Sequence, residues 1–210
     1  MNYLAHIYLS GNDNEHAIGN FIADSVKGAQ WKNYPMPFQC GIRLHRAIDL
    51  FTDSHSIFRK HTHLLFPKYR HYSRVIVDMY YDHFLAHHWS IFHPLGLSDF
   101  TNRFYHSLEM HCEQLPEIIV KRLPFLLRDN WLMQYDTLPK LKEVLTKMEK
   151  RTRFPSYLSE SVVELKQNYT VLEADFFIFF KDLACFCTSH LDAGEYSEIP
   201  YFESLKNPSK

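Results

Sequence analysis

Apolar residues recur at three- and four-residue spacing through nearly the whole chain, and no stretch alternates strictly between apolar and polar. That period belongs to a helix with one buried face, not to a strand. Only six glycines interrupt it, and ten prolines act as punctuation. The expectation is an all-α, single-domain helical bundle over residues 1–210. A short helix is predicted over 2–9. A second is capped by Asp13 or Asn14 and stopped at Gly28. Pro35 and Pro37 open a third, carrying 38–52. Asp53 or Ser54 caps a fourth that Pro67 ends. A long helix is predicted over 69–92, and another from Ser98 or Asp99 to about Gln114. Further pieces follow Pro116, split near Pro124 and again near Pro139. The stripe Val162, Leu165, Tyr169, Leu172, Phe176 and Phe179 predicts one final helix over 158–190. The polar stretch 191–210 reads as a frayed tail.

At 210 residues with 46% hydrophobic content, the chain can bury a substantial core. A formal net charge of −1 offers no global field to attract nucleic acid or an anionic membrane. The strongest apolar run, Phe176–Phe180, is far too short to span a bilayer. The segment "MNYLAHIYLS" lacks the charged start and long apolar run of a signal peptide. Cys40, Cys112, Cys185 and Cys187 form no C-x-x-C pair and read as reduced core thiols. A cytoplasmic protein is the expectation.

Fourteen histidines are many for this length. In "LHRAIDLFTDSH", residues 44–55, His45 and Asp49 lie one helical turn apart and Asp53 one turn further. In "VDMYYDHFLAHHW", Asp78 and Asp82 are four apart, as are His83 and His87. Consecutive Asp82 and His83 diverge by about 100° and can straddle one ion. "IGNFIADSVKG" sets Asp24 beside Phe21 and Ile22, and His6 lies within the apolar "YLAHIYL". Each feature alone has an ordinary reading: a surface pair, a helix cap or a packing histidine. Together, three helices offer carboxylates and imidazoles on apolar stripes, where unpaired charge is costly. Such a donor set suits Mn²⁺, Fe²⁺ or Zn²⁺.

The segments "MNYLAHIYLS", "IGNFIADSVKG", "GIRLHRAIDLFTDSH" and "DMYYDHFLAHHWS" resemble, in order and spacing, the motifs of the acyl carrier protein phosphodiesterases. The resemblance runs from residue 1 to about 190. It implies a fold related, in rearranged order, to the HD-domain metallophosphohydrolases. It also implies a metal site of Asp24, His45, Asp82 and His83, and Mn²⁺ as cofactor, with Mg²⁺ or Fe²⁺ as substitutes. The implied reaction removes 4′-phosphopantetheine from holo-acyl carrier protein, the expected partner.

General chemistry then suggests roles for the remaining groups. Asp49 or Asp53 would orient or deprotonate water, Asp78 would hold a ligand imidazole, and His6 is a further catalytic candidate. Arg43, Arg46 and Lys27 would grip the phosphate oxygens. An acidic carrier would dock near Arg59, Lys60, Lys68, Arg70 and Arg74. Two rival readings stay open. One is an HD-like phosphohydrolase acting on nucleotides. The other is a non-catalytic helical module that binds an acidic partner.

Overall fold

The structure, a computed structural model, describes the backbone of residues 1–192 and the side chains of residues 1–189. Eleven α-helices, joined by 3₁₀ turns, account for most of the described chain, and no strand occurs among the described residues. They are α1 Tyr3–Tyr8, α2 Asn14–Ile22, α3 Met36–Ser54, α4 Ser56–Tyr69, α5 Ser73–His87 and α6 Trp89–Phe92. Then come α7 Leu97–Met110, α8 Glu117–Arg128, α9 Leu138–Glu149, α10 Val162–Gln167 and α11 Tyr169–Asp192. The expected frayed tail lies almost wholly outside the described residues.

Several predicted boundaries move, each for a local reason. Asp13 caps α2, accepting from the Glu15 and His16 amides. The helix itself ends at Ile22, well before Gly28, and a 3₁₀ turn carries Asp24. The cap of α4 is neither Asp53 nor Ser54; His55 accepts from the Ile57 amide. Pro67 and Pro124 do not end their helices. Both prolines are exposed, so water can take the carbonyls they release. The long helix predicted from 69 starts instead at Ser73, because Arg70 adopts φ 50°, outside the right-handed helical region. His88 then breaks α5 from α6, and Asn168 breaks the predicted final helix into α10 and α11. No described helix is long and apolar enough to cross a membrane.

One core runs through the bundle, and α11 supplies its centre. Phe176, Phe179 and Phe180 are fully buried. Phe179 meets Tyr81 at 4.8 Å between centroids, Phe176 meets Phe84 at 5.5 Å, and Phe180 meets Phe92 at 5.2 Å. Aromatic pairs at this spacing add to the burial of large apolar surfaces. Of the four cysteines, all free, Cys40 and Cys187 are buried but Cys185 is exposed, contrary to the core reading for all four.

The tightest helix pair positions the site. A Cβ on Gly19 of α2 would collide with the Phe38 carbonyl, and one on Gly41 of α3 with the His16 carbonyl. The two backbones therefore touch where the side chains are missing. Asn20 follows Gly19 by one residue and His45 follows Gly41 by one turn, so this crossing brings them into contact.

Candidate metal centre

His6 of α1 and His45 of α3 stack face to face, with centroids 4.0 Å apart and planes 16° apart. At the Nδ1 edge of both rings lies Asn20 of α2, which is fully buried. Its Nδ2 donates to the His6 carbonyl at 2.8 Å and to Ser10 Oγ at 2.9 Å. That leaves Asn20 Oδ1 as an acceptor. It takes the Nδ1–H of His6 at 2.8 Å. The Nδ1–H of His45 donates to the Asn20 carbonyl at 2.9 Å and lies 3.1 Å from the same Oδ1. Both imidazoles are thereby fixed with hydrogen on Nδ1 and with Nε2 turned the other way.

Two carboxylates face those Nε2 atoms. His45 Nε2 lies 3.2 Å from Asp24 and 3.3 Å from Asp49, and His6 Nε2 lies 3.4 Å from Asp49. The imidazoles are buried at the back, whereas the Asp24 and Asp49 side chains are 67% and 48% exposed and form the mouth. Burial, reinforced by the neighbouring His45, pushes His6 down to about 4, so it is neutral near pH 7. Burial also opposes a charge on His45, but its bonds to Asp24 and Asp49 outweigh this and raise it to about 9. The bond to His45 holds Asp24 below the ordinary carboxylate range. Asp49 is lowered too: burial opposes its charge, but contacts with His45 and His6 prevail.

A neutral His6 with hydrogen on Nδ1 aims a lone pair at an anionic oxygen. Its Nε2 is buried and makes no hydrogen bond. Two electron-rich atoms facing each other without a proton are repulsive unless a cation lies between them. His6, His45 and Asp49 offer one ligand atom each, all within 4.8 Å of one another. Two imidazole nitrogens and carboxylate oxygen form a donor set that fits Mn²⁺, Fe²⁺ or Zn²⁺.

The contacts divide the four ligands that the resemblance implies. Asp24 and His45 meet. Asp82 instead accepts the Leu4 and Ala5 amides, at 2.9 and 3.3 Å, and is fully buried. Asn2 makes no side-chain cap on α1, so Asp82 serves the helix's orphan amides from α5. Burial pushes this carboxyl up to about 7, against those two bonds. His83 is engaged elsewhere. Its Nδ1 meets the Tyr135 carbonyl at 2.7 Å and its Nε2 the Tyr169 hydroxyl at 3.1 Å. Burial lowers it to about 4.

The remaining candidates scatter around the centre. Asp78 lies 3.0 Å from the Met1 amine, which is also 3.9 Å from Asp49; neither His6 nor His45 is its partner. Asp53 pairs with Arg74 at 2.8 Å, one turn beyond Asp49. Arg46 donates to the Gly28 carbonyl, bridging α3 to the segment that follows Asp24. Lys27 on that segment is exposed. Arg43 donates to Cys40 Sγ and lies over Trp31, 5.9 Å from its centroid. The sequence reading missed Asn20, which orients both imidazoles. Its one signal was an amide embedded in the apolar run "AIGNFIA", since buried polar residues are found with partners.

The family model described as acyl carrier protein phosphodiesterase matches residues 1–183. A protein of Photorhabdus laumondii with that name is 33% identical over 181 residues, covering 86% of this chain and 91% of its own. Namesakes from Yersinia pestis and Escherichia coli are 31% and 29% identical, each covering 86% of this chain and 94% of its own. No solved structure matches the chain. A match over the described core, at this identity and nearly full mutual coverage, assigns the chain to the acyl carrier protein phosphodiesterase family of enzymes.

Proposed function

We propose that this protein is a metal-dependent phosphodiesterase that hydrolyses the bond joining 4′-phosphopantetheine to holo-acyl carrier protein. The products are apo-acyl carrier protein and free 4′-phosphopantetheine. The name shared by its relatives supports the substrate. One observation carries the metal: two imidazoles locked by Asn20 through Nδ1, with both Nε2 atoms turned toward Asp49 and Asp24.

In this reading His6, His45 and Asp49 hold the ion, and Asp24 adds a fourth donor. Mn²⁺ is the expected ion, with Mg²⁺ or Fe²⁺ as substitutes. When bound, it supplies positive charge against the phosphate oxygens and lowers the pKa of water. Asn20 keeps both imidazoles in the ligating tautomer. Asp82 anchors the start of α1 and so fixes His6. Asp24, whose side chain is exposed at the mouth, accepts the proton of the attacking water. Arg46 and Lys27 flank the mouth and hold the non-bridging oxygens.

The test is intact-mass spectrometry of purified holo-acyl carrier protein incubated with the protein and Mn²⁺, with and without a chelator. The expected result is loss of the prosthetic group only when metal is free to bind. An unchanged carrier mass in Mn²⁺ overturns the substrate. Equal hydrolysis with chelator overturns the metal.

A further inference from the structure

A cavity of about 560 Å³ opens beside the metal-compatible cluster, between α4, the turn at Arg70 and α5. Arg59, Arg70, Arg74, His63 and His71 line it, against a single carboxylate, Asp53. The chain as a whole is near neutral, so this concentration of basic residues is local. Arg74 already pairs with Asp53. Arg59 and Arg70 make no ion pair among the described residues; Arg59 donates only to the Asp53 carbonyl.

Two other basic residues of this region are neutralised. Lys60 pairs with Asp175 at 2.7 Å, and Lys68 with Glu160 and Glu164 at 3.2 and 2.9 Å. The structure thus separates free cations from spent ones within one stretch of sequence. Arg70 itself sits at φ 50° and ψ −125°, a backbone that a side-chain-bearing residue rarely adopts. Strained backbone of this kind clusters at binding and switch sites. Phe66 lies under its guanidinium, 5.7 Å from the ring centroid.

The cavity begins one helical turn from the cluster along α3. Asp53 follows Asp49 by one turn on α3, and Arg74 precedes Asp78 by one turn on α5. The Asp53–Arg74 bridge is therefore the wall between them. We infer that this cavity docks the carboxylates of an acidic carrier protein and so sets the scissile group over the neighbouring cluster. The inference rests on the proposed function for the partner, and names the surface that receives it. A charged, exposed docking surface acts mainly on encounter and register, and salt weakens it.

The experiment measures binding separately from catalysis. Apo- and holo-acyl carrier protein are titrated into wild type, Arg59→Glu and Arg70→Glu at low ionic strength. Arg151→Glu serves as a control: it makes the same charge change in a second basic cavity, beside Arg122 and Lys147. The expected result is about tenfold weaker binding in the first two variants, for both carrier forms, and a change under about twofold in the control. Wild-type binding should also weaken about tenfold between 50 and 300 mM salt, a readout that needs no variant to fold. Equal loss in Arg151→Glu would overturn the inference, because the effect would be a global field. Loss confined to holo-carrier would also overturn it, assigning the cavity to the prosthetic group's phosphate. Unchanged binding in both variants would overturn it outright. Wild type that binds the carrier, loses binding in these variants, yet releases no 4′-phosphopantetheine supports the docking surface while sinking the functional reading.

Discussion

Replacing Asn20 with alanine tests the central claim, that one buried amide fixes the state of two imidazoles. The side chain makes four contacts: donors to the His6 carbonyl and Ser10 Oγ, and acceptor contacts with both Nδ1–H groups. They are not equal. Ser10 Oγ also donates to the His6 carbonyl, and His45 Nδ1 keeps the Asn20 backbone carbonyl, so neither is stranded. His6 Nδ1–H loses its only partner. Leaving that donor unmet costs about 1–3 kcal/mol, and the other lost bonds add roughly 0.5–1.5 kcal/mol each. A total of about 2.5–7.5 kcal/mol lowers Tm by roughly 5–30 °C for a domain of this size. The larger consequence is chemical. Freed of Asn20, His6 can carry its hydrogen on Nε2 and donate to Asp49, which removes the lone pair that would meet an ion. Mn²⁺ affinity should fall about 10–100-fold, the usual cost of losing a ligand's orienting partner. Calorimetric titration with Mn²⁺ well below Tm reads affinity, and imidazole ¹⁵N shifts read the tautomer. Ser10→Ala controls for lost packing and should change affinity by less than about threefold. Unchanged Mn²⁺ affinity in Asn20→Ala, or Nε2-protonated His6 in wild type, would refute the reasoning.

Asp49→Asn should lose Mn²⁺ and turnover together, the latter by about 10²–10⁴-fold; metal retained with turnover lost would make Asp49 a water-orienting group instead. Gly41→Ala should destabilise by more than about 3 kcal/mol, since its Cβ would meet the His16 backbone, which has no freedom to yield; a urea midpoint near wild type would show that α2 and α3 can separate without loss. His83, held neutral down to about 4, takes up a proton on unfolding below its ordinary 6.5. The unfolded state binds more protons there, so stability falls as pH drops from 6.5 to 4. His83→Gln should flatten that slope in urea titrations, and an unchanged slope would place the proton uptake on other groups.

Periodicity and punctuation determined the helical class, the approximate helices and the stripes that bury Leu172, Phe176 and Phe179, because each depends on spacing within one segment. The order and spacing of the quoted motifs carried the family resemblance. Helix boundaries were less legible. Whether Pro67 and Pro124 end a helix depends on which face meets water, and whether Arg70 turns the chain depends on what the bend gains. The site was half legible. His45–Asp49 is a local i,i+4 pair, and its proximity follows from helix geometry alone. His6, Asn20 and Asp24 come from other segments: the glycine crossing of α2 and α3 brings Asn20 to it, and the packing of α1 on α2 brings His6. Asp82 and His83 show the converse. Adjacent in sequence, they point about 100° apart, and packing gave one to the start of α1 and the other to Tyr135 and Tyr169. Likewise, a run of basic residues told nothing of which were free, since the acids that neutralise Lys60 and Lys68 lie on distant helices. Short-range spacing constrains the side chains of one element, whereas a site assembled from several elements is decided by their packing, which no local pattern encodes.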